Sequence, residues 1–286
     1  MFRRERARSE DSPVHIPRRS ALALSGLFLA IAVVGCGGSS GTPTAAPVSD
    51  PNEIITRSAT GMTAVQTVHF EVALGGSVNP SGLGSAGTAL GLSGSLKLDG
   101  TTASGDLDIQ KRAFHASASM PTLLGLSADI IQVDGYQYTK ISLTGTKYTK
   151  SPASTLPIAS AAPGASLDIS GVVTGLKSSL DASGAKATLV GRESVDGRDA
   201  YHVSVTVPKD LLNQEVGTLA GSAGAGVSID TASLDYWVYV DSLNPAKIEI
   251  KASSATVGNL TLTLTLTKYN QSVIIKAPPD GEIQAG

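Results

Sequence analysis

Leu260-Thr261-Leu262-Thr263-Leu264-Thr265-Leu266-Thr267 alternates without a break. Successive side chains of an extended chain point to opposite faces, so the leucines share one face and the threonines the other. One face is expected to be dry and the other wet. The same period of two recurs in Val68–Val72, Leu96–Leu98, Asp106–Gln110, Ile131–Asp134, Tyr201–Val207, Asp235–Asp241 and Lys247–Lys251. Asp99-Gly100, Asp134-Gly135 and Asp196-Gly197 are tight-turn signals between such segments. The pattern predicts a mainly β, α+β chain built on one large, curved antiparallel sheet of roughly ten strands.

Three short segments read as helices instead. Asp50-Pro51-Asn52-Glu53 places an N-cap, a proline at the first helical position and a capping-box-like glutamate ahead of Ile54, Ile55, Ala59 and Met62. Leu167–Asp181 and Lys209–Leu219 carry apolar residues at helical spacing. Three short helices cover only part of so large an apolar face. Aromatic residues make up 4% of the chain and 31 residues are glycine, so bulky fillers are scarce. An apolar hollow suited to acyl chains is one reading of that mismatch. A core packed by Leu, Val and Ile is the other.

Upstream of the sheet, Arg3, Arg4, Arg6, Arg8, Arg18 and Arg19 precede the apolar run Ala21–Val34, which ends in Val33-Val34-Gly35-Cys36. At 14 residues the run is short for a membrane span and matches a secretory signal. An aliphatic residue at −3 and a small residue before the only cysteine form a lipoprotein processing site. The sequence thus predicts a signal peptide over 1–35, a lipidated Cys36, a flexible tether over 36–49 rich in Gly, Ser, Thr, Pro and Ala, and a folded domain over 50–286. Membrane attachment through acyl chains on the extracytoplasmic face follows.

Loss of residues 1–35 removes six of 22 basic and three of 24 acidic residues, leaving 16 and 21 and a net charge of −5. No basic cluster remains, which argues against nucleic-acid binding. With Cys36 alone, no intramolecular disulfide can form. Gly37-Gly38-Ser39-Ser40-Gly41 matches a nucleophile-elbow pattern formally, but lies in the tether rather than between a strand and a helix. His69, His115 and His202 stand apart without the spacing of metal ligands, and His69 and His202 read as wet-face residues. Asp106/Asp108 and Asp196/Asp199 read as solvated edges. No cofactor, metal or catalytic residue is expected.

The order of these elements resembles the LppX/LprG/LprA/LprF family of actinobacterial lipoproteins. The resemblance is carried by Asn52–Ile55 leading to Val68-His69-Phe70, Leu92–Leu96, Ala103–Leu107 and Val133-Asp134-Gly135-Tyr136-Gln137-Tyr138. It continues through Gly191–Gly197, Tyr201-His202-Val203, Leu234–Val238 and Leu262–Asn270 to Val273–Pro278. The chain departs from the family at Asn79–Leu92 and Ser151–Ser166. The resemblance implies an open half-barrel, LolA/LppX-like, with helices on its concave face. It also implies an apolar cavity that takes multi-acylated lipids or glycolipids from the inner membrane toward the outer envelope, with a membrane lipid exporter as a further partner. By matching strands, Leu96, Leu98, Leu107 and Ile109 would line the cavity, joined by Leu176, Leu180, Leu212 and Val216 from the covering helices. Apart from the resemblance, the Gly/Ala-rich run Ala220–Gly226 beside a covering helix reads as a flexible gate or as an ordinary loop. Two other readings stay open: a structural or adhesive surface lipoprotein with a filled core, and a hydrolase without a recognisable nucleophile–base pair.

Overall fold

The structure, a computed structural model, describes residues 48–80, 94–153, 186–210, 213 and 228–284. Asp50 caps helix α1 (Pro51–Met62), its carboxylate accepting from the Asn52 amide at 2.9 Å. Glu53 does not close a capping box. It pairs with Arg57 one turn on, which leaves the cap to Asp50 alone.

The strands are β1 (Thr67–Val78), β2 (Leu96–Lys97), β3 (Thr101–Asp108), β4 (Ala113–Met120), β5 (Leu126–Val133), β6 (Tyr136–Ile141) and β7 (Thr149–Pro152). They continue as β8 (Lys186–Val195), β9 (Arg198–Thr206), β10 (Thr231–Tyr239), β11 (Pro245–Ser254) and β12 (Gly258–Thr267). All twelve form one open antiparallel sheet in the order β7-β6-β5-β4-β3-β1-β12-β11-β10-β9-β8, with β2 beside β1. The leucine–threonine strand β12 is therefore central, paired with the first strand from His69 opposite Thr267 to Val78 opposite Gly258. At the Asp134-Gly135 and Asp196-Gly197 turns both residues are left-handed, the conformation that matches hairpin turns to strand twist. Of the expected segments, Asp106–Gln110 is strand only to Asp108, and Leu96–Leu98 only to Lys97.

Parity along the strands separates two faces. Helix α1 packs on the inner one, where Ile54, Ile55 and Met62 meet Val68, Phe70, Tyr236, Ile248, Leu264 and Leu266. Inside this cluster Ser58 Oγ and the Tyr236 hydroxyl share a hydrogen bond of 2.7 Å. Val48 joins the cluster, its amide donating to the Tyr201 hydroxyl at 3.1 Å. On β8–β11 the outer face mixes polar side chains with a small buried cluster of Val195, Ala200, Trp237, Tyr239 and Ala246. On β5 and β6 it holds Ile131 and Tyr138, which pack with Tyr148 against Ile275 and Ile283 of the C-terminal segment. That segment is fixed by the Tyr148 amide donating to the Glu282 carbonyl and the Gln284 amide to the Tyr148 carbonyl, both at 2.8 Å.

Candidate functional site

Apolar residues continue along the inner face past the reach of α1. On β1, Val68 and Phe70 are buried and Val72 and Leu74 half-buried; on β12, Leu266 and Leu264 are buried and Leu262 and Leu260 half-buried. The neighbouring strands repeat the gradient, Ile248 then Ile250 on β11 and Tyr236 then Leu234 on β10. Register fixes the alignment, since Leu74 lies opposite Leu262, Leu262 opposite Ile250, and Ile250 opposite Leu234. The result is one apolar strip, tightly packed at the α1 end and partly open beyond it. From Val72 to Val78 it runs about 20 Å at ~3.3 Å per residue. One leaflet of bilayer hydrocarbon is about 15 Å deep, so the strip is long enough for an acyl chain.

The expected lining residues fall at its two ends. Leu107 lies opposite Val68 and packs, with Ile109, against the α1 cluster. Leu96 lies opposite Val78, with Leu98 beside it. Ten residue steps along β1 separate these pairs, about 33 Å, so they mark two ends of a strip and not the wall of one small pocket. The half-buried residues between them, Val72, Leu74, Leu234, Ile250, Leu260 and Leu262, were not among the expected lining. Strict alternation in β12 placed its leucines on the dry face, but only the pairing of first with last strand puts them at its centre. Cys36, Leu176, Leu180, Leu212 and Val216, the Leu167–Asp181 helix, the gate at Ala220–Gly226 and all of Lys209–Leu219 except Lys209, Asp210 and Asn213 lie outside the described residues.

The outer face holds the histidine–carboxylate contacts, while on the inner face Arg192 reaches the Tyr201 hydroxyl at 3.3 Å. His202 stacks on Trp237 at 4.2 Å and meets Glu193 at 2.8 Å and Asp235 at 3.1 Å. The Trp237 indole and then the His202 ring hold the Glu193 carboxyl below the usual range. His69 meets Asp106 at 2.8 Å on the same face. Asp108 corrects the expectation of a solvated edge. It is buried and accepts from the Lys111 amide and ammonium at 2.9 and 2.8 Å, because the β3–β4 turn folds back over it. No three His, Cys, Asp or Glu side chains converge as a metal site among the described residues. Ser117 and His115 both bond Asp129 rather than each other, so they form no proton relay for a serine nucleophile.

Asp129 carries a pH dependence. Burial alone would raise its carboxyl, but hydrogen bonds from Ser117, Tyr148 and His115 outweigh that and hold it below its ordinary value of 3.8. Burial and Asp129 push the Tyr148 phenol upward, so it stays a donor. A depressed carboxyl contributes stability above its unfolded value and loses it as pH falls through the folded one. Asp129→Asn is expected to cost about 1–2 kcal/mol at neutral pH. The difference from wild type should shrink in denaturant titrations below about pH 4. A difference constant down to the acid limit would refute this role.

Among the described residues no helix is long and apolar enough to cross a membrane. No curated protein matches the chain. Among solved structures it is similar to the lipoprotein LppX of Mycobacterium tuberculosis, with 16% identity over 80% of this chain and 100% of that one, at a TM-score of 0.48. It is also similar to LprF of Mycobacterium bovis, with 19% identity over 81% and 98% and a TM-score of 0.48. A LolA superfamily protein of Nitrosomonas europaea aligns at 10% identity over 82% and 97%, with a TM-score of 0.26. The family model for LppX_LprAFG lipoproteins matches residues 50–275. That match spans most of the sequence and runs from α1 through the whole sheet, so the chain belongs to the LppX_LprAFG lipoprotein family.

Proposed function

We propose that this protein is an envelope lipoprotein, held on the extracytoplasmic face by Cys36, that binds acylated lipid along the inner strip and carries it toward the outer envelope. The observation that supports this most is the burial gradient. Leu262, Ile250 and Leu234 stay half-buried although Leu264, Ile248 and Tyr236, one pair along, are closed off, and Leu260 beyond Leu262 is half-buried too. Each CH₂ moved from water onto such a surface gains roughly 0.8 kcal/mol, without directional bonds. A site of that kind selects for chain number and length more than for headgroup. Multi-acylated lipids and glycolipids are the proposed cargo, received from or passed to a membrane exporter.

Native mass spectrometry with organic extraction tests this on protein from a host that makes envelope glycolipids. Wild type should retain acylated lipid, and Leu262→Trp or Ile250→Trp should lower occupancy by roughly tenfold, about 1.4 kcal/mol. A filled structural protein gives the opposite pair of results. It carries no lipid, and the tryptophan overpacks the core at a cost of about 1–3 kcal/mol in stability.

A further inference from the structure

Along β4–β7 the turns at the two ends of the sheet differ in charge, while exposed apolar side chains occur at both, Tyr136 and Ile274 lying at the α1 end. At the α1 end the turns are charged, Lys111-Arg112 between β3 and β4 and Asp134 between β5 and β6. At the far end lie Pro121-Thr122-Leu123-Leu124-Gly125 between β4 and β5 and Ser142-Leu143-Thr144-Gly145-Thr146 between β6 and β7. Neither stretch carries a charge, and Lys147 is the next residue on. Each shows a leucine to solvent, Leu124 at 92% and Leu143 at 67% exposure.

Leu124 is unusual in its backbone as well. It is left-handed, with φ 55°, ahead of a left-handed Gly125. The turn is closed by Gly125 N donating to Pro121 O at 3.2 Å and Leu126 N to Leu123 O at 2.9 Å. Such a position favours Asn, Asp or Gly, and a leucine here gains nothing from core packing. The two hairpins are neighbours, since β5 pairs with both β4 and β6. Leu96, the far end of the inner strip, sits opposite Val78 at this same end of the sheet.

We propose that Leu124 and Leu143 are a docking tip that dips into the surface of a lipid bilayer and sets the far end of the strip against the headgroups. This rests on the carrier reading for its purpose, though not for its contact. Small uncharged loops that expose a leucine suit the interface, where apolar groups enter about 5–10 Å. The tether length allows it. Val48 joins the fold near Tyr201, at the α1 end, and the sheet is about 33 Å long over the ten residue steps from Val68 to Val78. Twelve residues from Cys36 to Val48 reach about 40 Å when extended. An anchored protein can therefore touch its own membrane with the tip when the tether is drawn out.

The test places a fluorescent amino acid at position 124, 143 or 112 of the full chain on phosphatidylcholine vesicles containing a lipid-borne quencher. Quenching of at least about twofold is expected at 124 and 143 and none at 112, which lies at the charged end. Equal quenching at all three, or none at 124 and 143, overturns the proposal. Self-association abolished by Leu124→Asp, without quenching, would assign the tip to a second copy of the chain and overturn it too. Leu124→Asp with Leu143→Asp should slow lipid uptake from vesicles about fivefold and leave occupancy at saturation unchanged. Quenched tips on a protein that takes up no lipid would remove the carrier reading and keep the docking. Lipid uptake with unquenched tips would do the reverse.

Discussion

Gly105→Val should leave little folded protein. Gly105 lies on the inner face of β3, between Phe70 on β1 and Ala116 on β4. A Cβ there would overlap the His115 carbonyl and stand 2.8 Å from Ala116 Cα and 2.9 Å from Phe70 Cζ. Phe70 is 1% exposed, so its ring has nowhere to go. The contacts with β4 are backbone, so relief requires the β3–β4 ladder to open. Overpacking of a core costs typically 1–3 kcal/mol, and a backbone clash adds to it, so a loss of about 3 kcal/mol or more is expected. Against a total of roughly 5–15 kcal/mol, that moves a denaturant midpoint by a large fraction. Gly105→Ala should fall between. Pairing it with Phe70→Leu separates the sources. Recovery would assign the cost to the ring, and additivity would assign it to the β4 backbone. A Gly105→Val protein within about 0.5 kcal/mol of wild type would show that the strands yield without cost.

What made the fold legible was contrast between neighbouring residues. Leu260–Thr267 announces its two faces, and Asp50-Pro51 announces where a helix begins, because a single local rule decides each. β4 was missed for want of contrast. Ala113–Met120 alternates alanine with serine and histidine, and small side chains leave a weak apolar signal although Phe114 is buried. β7 was missed because Thr149–Pro152 is an exposed edge of four residues with no dry face to betray it. Pairing of β1 with β12 is a long-range choice that no local period encodes. That choice moves the strip to Leu260, Leu262, Ile250 and Leu234. The same limit explains why Leu96 and Leu107, eleven positions apart, end far from each other. Asp99-Gly100, expected as a tight turn between strands, does not turn the chain back: β2 and β3 both run antiparallel to β1 in succession, so the chain covers the length of the sheet between Leu96 and Leu107.

The largest functional effect is expected at Cys36. Its replacement by alanine should move the protein from the membrane fraction to the soluble extracytoplasmic one, with the unprocessed form accumulating if cleavage requires prior lipidation. The reasoning is additive. A single acyl chain of ordinary length gives reversible binding with K near ~10⁴ M⁻¹, and a second chain, at roughly 0.8 kcal/mol per CH₂, makes attachment effectively permanent. The docking leucines cannot replace this. Fully burying two leucines gains at most about 3–6 kcal/mol, before the cost of orienting the protein at the surface. Cys36→Ala protein should therefore touch vesicles transiently and still exchange lipid, because strip and tip are untouched. The comparison of fractionation with lipid occupancy is decisive. If the variant stays membrane-bound through a salt wash, the apolar run before Cys36 is retained as an anchor and the lipidation reading fails. If it is released but emptied of lipid, loading depends on residence at the membrane. Cys36 would then act by raising local concentration at the bilayer, and Leu124 and Leu143 would act by orienting the strip once there.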